Sequence, residues 1–236
     1  MTGVDVVVVG GSFAGLLAAV QLARAGREVT VVEQDLGLLL AADGAAPRAP
    51  RPGAPHAVHG HAMLSRGLKE LRAGVPDVVE ELIARGAIEH RLPEHFPPSA
   101  GSLPAAAGDA ELVMLFCGRH LLDRVIVDVA ASTPGLTLRE GRVEGVEVRA
   151  AQHSEPARAV GVRLDSGEPL RAELVLDAGG RRSRVPSFLA AIGAKPDVVE
   201  HDCPLIYYSR HYRFLGTQRP PLNRLFAAGG FIPSLV

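Results

Sequence analysis

The hexapeptide Gly10-Gly11-Ser12-Phe13-Ala14-Gly15 has the residue types and spacing to hold a phosphate. It fits G-x-G-x-x-G with serine in the second glycine place. In such a loop the first glycine permits a tight turn, and the last lets a helix pack close to a sheet. The helix that follows offers unpaired N–H groups and the positive end of its dipole to a pyrophosphate. Ser12 adds a Cβ where the backbone approaches phosphate, but also a hydroxyl that can donate a hydrogen bond. Glu33 follows the loop by about 20 residues, where a carboxylate binds ribose hydroxyls. It is expected to be an exposed group at a strand end. Gly10, Gly11, Ser12, Ala14, Gly15, Glu33 and Gln34 are therefore the candidate dinucleotide contacts.

A loop of this kind needs a strand before it and a helix after it. Residues 6–9 are four consecutive valines ended by Gly10-Gly11, the pattern of a fully buried strand. Residues 13–24 read as a helix that Gly26 closes, and residues 28–33 as a second strand. This is a β-α-β unit of about 30 residues, with its contacts to the adenosine diphosphate half of a cofactor expected to be local. The whole order, strand to Glu33, is far more specific than the glycines alone. Strand, turn, serine and helix also describe the hydrolase elbow G-x-S-x-G. That rival misses its last glycine, where Ala14 stands, and leaves Glu33 without a purpose.

The remaining elements are less sharply marked. Residues 36–55 read as a Pro/Gly/Ala-rich loop. Helices are expected over 62–72 and over 76–84, the latter with Val78, Val79, Leu82 and Ile83 on one face. Residues 91–108 read as irregular and Gly108-Asp109-Ala110 as a loop. A strand is expected at 111–116. A helix is expected at 121–131, with Leu122, Val125, Ile126 and Val129 as its apolar stripe. Strands at 137–139 and 142–148 precede a hairpin, 159–164 and 170–176, across Asp165-Ser166-Gly167. A short helix at 186–192 and a strand region at 205–214 complete the reading. On an extended segment His59 and His61 share a face. No cysteine or carboxylate nearby completes a metal set, so a packed or cofactor-lining role is expected there and no metal, also for His56.

Composition bounds the function. The chain has 236 residues, a net charge of −1 and 47% hydrophobic residues, so a sizeable core is available and no basic surface calls for nucleic acid. The absence of tryptophan argues further against a base-stacking platform. Cys117 and Cys203 are the only cysteines, which fits a reducing, cytoplasmic setting. The valine run is too short for a signal peptide or a membrane span.

Two later segments narrow the cofactor. They are CGRHLLDRVI at 117–126 and LVLDAGGRRSRVPSFLAAIG at 174–193. With GGSFAG and Glu33, they resemble the class A FAD-dependent monooxygenases of the para-hydroxybenzoate hydroxylase type. In that family an Arg followed by paired leucines opens a helix against the flavin cofactor, which Arg119-His120-Leu121-Leu122 matches. Asp177 begins the extended Asp-Gly motif of the bacterial secondary-metabolite subgroup, which includes hydroxylases and epoxidases. The resemblance implies further FAD contacts for Arg119 and Asp177. GAPHAVHGHAMLSRGLKEL is similar to a P-Q-x-R-H-x-H segment of that subgroup, with His56 and Val58 in the Gln and Arg places.

The fold this implies is α/β, a Rossmann-like FAD-binding parallel sheet with a small antiparallel layer and an incomplete substrate-binding sheet. The FAD domain is expected over 1–203, with a candidate substrate-side insertion at 87–116, and the start of a substrate domain over 204–236. The implied activity is oxygenation: NAD(P)H reduces FAD, and a flavin C4a-hydroperoxide hydroxylates or epoxidises a small organic substrate. The chemistry is the cofactor's, so no side chain is named as acid, base or nucleophile. The same scaffold also serves flavoprotein dehydrogenases and prenyl-chain reductases, and a non-catalytic nucleotide-binding remnant is the alternative from another class. The family's third motif, Gly-Asp before a Pro- and Gly-containing helix start, has no counterpart after Arg119; the only Gly-Asp is Gly108-Asp109. The expected partner is thus a C-terminal remainder of the enzyme. The resulting prediction is that the 236-residue chain alone binds FAD weakly and oxidises NADPH only with release of hydrogen peroxide. Bound flavin, NADPH consumption and peroxide yield of the purified chain check it.

Overall fold

The computed structural model describes residues 3–41, 54, 57, 60–95, 104, 106–151, 156–194, 196–204, 206, 208 and 215. His56, His59 and nearly all of the expected strand region at 205–214 lie outside the described residues, as does most of 204–236.

The first three elements are β1 (Val4–Val9), α1 (Phe13–Arg24) and β2 (Val29–Glu33). The valines of β1 divide by parity. Val6 and Val8 enter one core beneath α1, while Val7 enters a second core on the opposite face. That split is why the run is continuous rather than alternating: both faces of the strand are covered. On α1, Leu16, Ala19, Val20 and Ala23 form the buried stripe. Gly26, at φ 83°, lets the chain leave the helix and enter β2.

Next come α2 (Leu36–Leu40), β3 (Gly60–Met63), α3 (Ser65–Gly74), α4 (Pro76–Ala84), β4 (Ile88–Arg91) and β5 (Val113–Gly118). They are followed by α5 (Arg119–Ser132), β6 (Leu136–Glu140), β7 (Val143–Arg149), β8 (Arg158–Leu164), β9 (Pro169–Asp177) and α6 (Val185–Ala191). The main sheet runs β6-β2-β1-β9-β8-β7. Its first four strands are parallel, and β8 and β7 continue it antiparallel. A second, three-stranded antiparallel sheet runs β3-β5-β4. The fold is α/β with a parallel-dominated, Rossmann-like sheet and a small antiparallel sheet.

Several sequence expectations change. The first five residues of the expected 36–55 loop form α2, because Leu36 and Leu39 are buried in the larger core and Arg124 Nη1 donates to the Leu40 carbonyl at 2.9 Å. Ala62 and Met63 belong to β3 rather than to a helix, since Ala62 pairs across to Phe116 and Met63 to Leu115. Ile83 stands 41% exposed, so only Val78, Val79 and Leu82 of the expected stripe are buried. Glu111 belongs to a 3₁₀ turn (Asp109–Glu111) rather than to the strand; Gly108 enters this turn at φ 100° and Asp109 Oδ2 accepts from the Ala106 N–H. The expected hairpin forms, but its second strand, β9, lies in the middle of the main sheet beside β1.

The parallel strands, taken in chain order, lie in the sequence third-second-first-fourth. The order reverses between β1 and β9, and in open α/β sheets ligands bind outside the strand ends at such a point. Two glycines allow β1, β9 and α1 to meet there. Gly10 has φ 102°, and a Cβ on it would lie 2.6 Å from the Ala178 carbonyl oxygen. A Cβ on Gly15 would lie 1.9 Å from the Gly10 carbonyl oxygen, a backbone atom with nowhere to go. Gly15→Ala is therefore expected to destabilise the chain by ~1–3 kcal/mol or more through forced displacement of α1. Urea unfolding of the cofactor-free variant against the parent measures it.

Candidate functional site

The tight turn after β1 delivers the chain into α1, with Ser12 as the residue before the first helical turn. A serine there ordinarily accepts a hydrogen bond from an N–H of that turn. Ser12 makes no such bond. Its Oγ instead accepts from Arg119 Nη2 at 2.8 Å. Arg119 opens α5, and its Nε donates to Asp123 Oδ1 at 2.7 Å, one turn along the same helix. Both side chains of this ion pair are 5% exposed. The starts of α1 and α5 are thereby tied together beneath the loop.

Glu33 closes β2 and is 7% exposed, which corrects the expectation of an exposed strand-end group. Its two carboxylate oxygens are engaged by backbone: Gly11 N–H donates to Oε2 at 2.6 Å and Asp35 N–H to Oε1 at 2.9 Å. A Cβ on Gly11 would lie 2.8 Å from Glu33 Cβ, so glycine there lets the loop press against the carboxylate stem. Glu33 thus shapes the loop as well as facing the site.

A cleft of about 370 Å³ opens at the reversal point of the sheet. Val9, Gly10 and Ser12 form one wall, Glu33 and Gln34 a second. Gly141, Arg142 and Val143, at the entry to β7, form a third. Ala178 and Gly179, then Arg182 to Val185 and Phe188, close the fourth side. Of the sequence candidates, Gly10, Ser12, Glu33 and Gln34 line this cleft directly. Gly11 and Gly15 are buried in the loop and helix next to them, while Ala14 is exposed on the first turn of α1 and does not line the cleft. Arg119 sits behind Ser12 and is 4% exposed. Asp177 also acts from behind: its oxygens accept from Gly179 N–H at 2.9 Å and from the Ser183 hydroxyl at 2.7 Å, which fixes the turn that carries Arg182 to the wall. The cleft is therefore not local to the β-α-β unit, as the sequence suggested, because half its wall comes from the β6–β7 and β9–α6 connections.

Sequence reasoning missed Gly141, Arg142, Val143, Arg184 and Phe188 as wall residues, and Asp123 as the anchor of Arg119. Asp123 had a signal, its position four residues after Arg119 on a helix. The β6–β7 connection had none, since only the pairing of β2 with β6 brings it to the site. Cys117 is not a nucleophile candidate: burial pushes its thiol up to about 11, so it is protonated near neutrality. Among the described residues no cluster of His, Cys, Asp or Glu could hold a metal, and no helix is long and apolar enough to cross a membrane.

Residues 5–188 match the family model of FAD dependent oxidoreductases. The chain belongs to that family. No curated protein matches it significantly. Among solved structures, PqsL, a probable FAD-dependent monooxygenase from Pseudomonas aeruginosa, superposes with a TM-score of 0.58 at 21% identity, covering 86% of this chain and 48% of that one. The p-nitrophenol 4-monooxygenase PnpA from Pseudomonas putida gives a TM-score of 0.50 at 20% identity, covering 80% and 44%. PyrE3, a Diels-Alderase of pyrroindomycin biosynthesis, gives 0.51 at 20% identity, covering 79% and 34%. At these identities the likeness is one of fold. This FAD-dependent oxidoreductase chain spans about half the length of PqsL.

Glu33 both lines the cleft and accepts from the Gly11 and Asp35 N–H groups, so its removal is expected to act twice. Glu33→Ala should lose on the order of 1.5–3 kcal/mol of FAD binding. It should also lower the unfolding midpoint of the cofactor-free chain, because Gly11 and Asp35 lose their acceptor. Parallel FAD titration and thermal unfolding of the variant and parent check both effects.

Proposed function

We propose that this oxidoreductase is a class A monooxygenase, which uses NAD(P)H to reduce FAD and inserts oxygen into a small organic substrate by hydroxylation or epoxidation. The observation that carries the reading is the cleft at the sheet's reversal point, walled by Gly10, Ser12 and Glu33 on one side and by the turn after Asp177 on the other. The fold likeness to flavin monooxygenases and the order of the Arg119 and Asp177 segments support it.

The residues present fit the adenosine diphosphate half of FAD. A pyrophosphate at the start of α1 would meet first-turn N–H groups that the Ser12 side chain leaves uncapped. Glu33 and Gln34 are placed for ribose hydroxyls. Val9, Val32 and Val143 give the cleft an apolar floor on which a base can lie. At about 370 Å³ the cleft is at the small end of ligand sites, ~300–1,000 Å³, which suits a nucleotide half better than a whole dinucleotide. When bound, the flavin supplies the electron transfer and oxygen chemistry. The chain's own part is to bind, orient and shield. Arg182 and Arg184 add cationic groups at the rim, suited to phosphates of FAD or of the pyridine nucleotide.

Binding and reduction test the reading in turn. The chain should bind FAD, and ADP should compete, because the contacts named lie in that half. NAD(P)H should reduce the bound flavin, with oxygen uptake on re-oxidation. Failure to bind either FAD or ADP sinks the cofactor assignment. Turnover that proceeds only when an artificial acceptor re-oxidises the flavin, with no oxygen uptake, favours a dehydrogenase.

A further inference from the structure

We infer that Asp123 is a positioning residue of the phosphate site: through the buried Arg119 it fixes the Ser12 hydroxyl as a donor to the pyrophosphate. This rests on the reading that the cleft takes the ADP half of FAD.

A serine O–H has one proton to give and two lone pairs to receive with. At the start of a helix its oxygen normally accepts from a backbone N–H of the first turn, which satisfies a donor that a phosphate would otherwise use. Ser12 does the reverse. Its oxygen receives Arg119 Nη2 and leaves the first turn alone. With that lone pair taken by a cation, the hydroxyl is polarised and its proton is left to point elsewhere. Ser12 lines the cleft. The serine in the second glycine place is thus an added donor, whose Cβ is offset by a charge-assisted hydrogen bond at its back.

Arg119 cannot hold that place unaided. It is 4% exposed, and a guanidinium buried without a counter-charge is driven toward water. Asp123, also 4% exposed, takes the Nε proton at 2.7 Å as a hydrogen bond and leaves the Nη2 edge turned to Ser12. Two opposed effects follow for phosphate binding. The Asp123 charge repels an anion, while its bond to Arg119 aims the donor. Positioning wins, because the carboxylate is compensated at contact distance by Arg119 and its field at the cleft is largely cancelled.

The experiment is a double-mutant cycle between Ser12→Ala and Asp123→Asn, read as affinity for ADP at fixed ionic strength, with adenosine as the phosphate-free probe. Each single variant should weaken ADP binding about tenfold, leave adenosine binding unchanged, and the double variant should be no weaker than Ser12→Ala. Thermal unfolding of each variant reports whether it folds. Asp123→Glu keeps the charge but displaces the guanidinium by one methylene. It should weaken ADP binding when Ser12 is present and have no effect when combined with Ser12→Ala. If Asp123→Asn does not fold, Asp123→Glu decides. Unchanged or tighter ADP binding in the folded Asp123 variant, losses that add to that of Ser12→Ala, or equal losses for adenosine would overturn the inference. A parent that binds neither ADP nor FAD overturns the cofactor reading, and this inference with it.

Discussion

The site depends on how closely the start of α1 can approach the end of β1. That approach is set by backbone against backbone, Gly15 over the Gly10 carbonyl and Gly10 against the Ala178 carbonyl. Interiors pack too densely to absorb an extra carbon at such places. Because α1 sits this low, Ser12 at its start reaches the cleft lining beside Gly10, and where β1 ends Ala178 N–H donates to the Val9 carbonyl at 2.8 Å, which seals the join between β1 and β9. The two core clusters then fix the orientation of the strands themselves, since alternate valines of β1 are claimed by opposite faces.

Charge is handled differently from packing. Many of the ion pairs, such as Arg24 with Asp77 or Arg66 with Glu70, lie at the surface between exposed side chains and contribute little. Arg119 with Asp123 is of another kind, sealed from solvent and adjacent to the loop. A buried pair is a poor way to gain stability, since desolvation offsets most of the attraction. What it supplies is a fixed direction. Glu33 follows the same pattern: a buried carboxylate that accepts from the Gly11 and Asp35 N–H groups shapes the loop from the end of β2.

The parts of this molecule that were legible in the sequence are those that nearest neighbours determine. The loop, α1 and Glu33 are spaced along some 30 residues, the reach of one crossover unit, and α1 begins and ends where its periodicity and Gly26 put it. A small antiparallel layer and a strand at 111–116 were expected, but the two strands that flank β5, Gly60–Met63 and Ile88–Arg91, were not legible. Gly60–Met63 carries a helix-compatible run, and only its pairing with Val113–Gly118 makes it a strand. Leu36–Leu40 has leucines without a clear period, and its helix comes from packing in the core. Within the site, Gly141 to Val143, Arg182 to Val185 and Phe188 reach the cleft through sheet order, which no local pattern encodes. Glu33 ends β2 and lines the cleft, yet was wrongly expected to be exposed, because β2 is buried along its full length.

The position of β9 has a consequence for how the chain is made. Val9 lies beside Asp177, so β1 finds its second partner only when β9, well over 100 residues later, has been synthesised. Domains dominated by such distant pairings fold slowly. Until then β1 has β2 on one side and an open edge of consecutive valines on the other, the kind of edge that recruits foreign strands. Cofactor cannot shorten this interval, since the wall that carries Ala178 and Arg182 arrives with the same late strand. The nascent β-α-β unit is therefore an unfinished sheet until residue 177 has been made, with Val6–Val9 as its open edge.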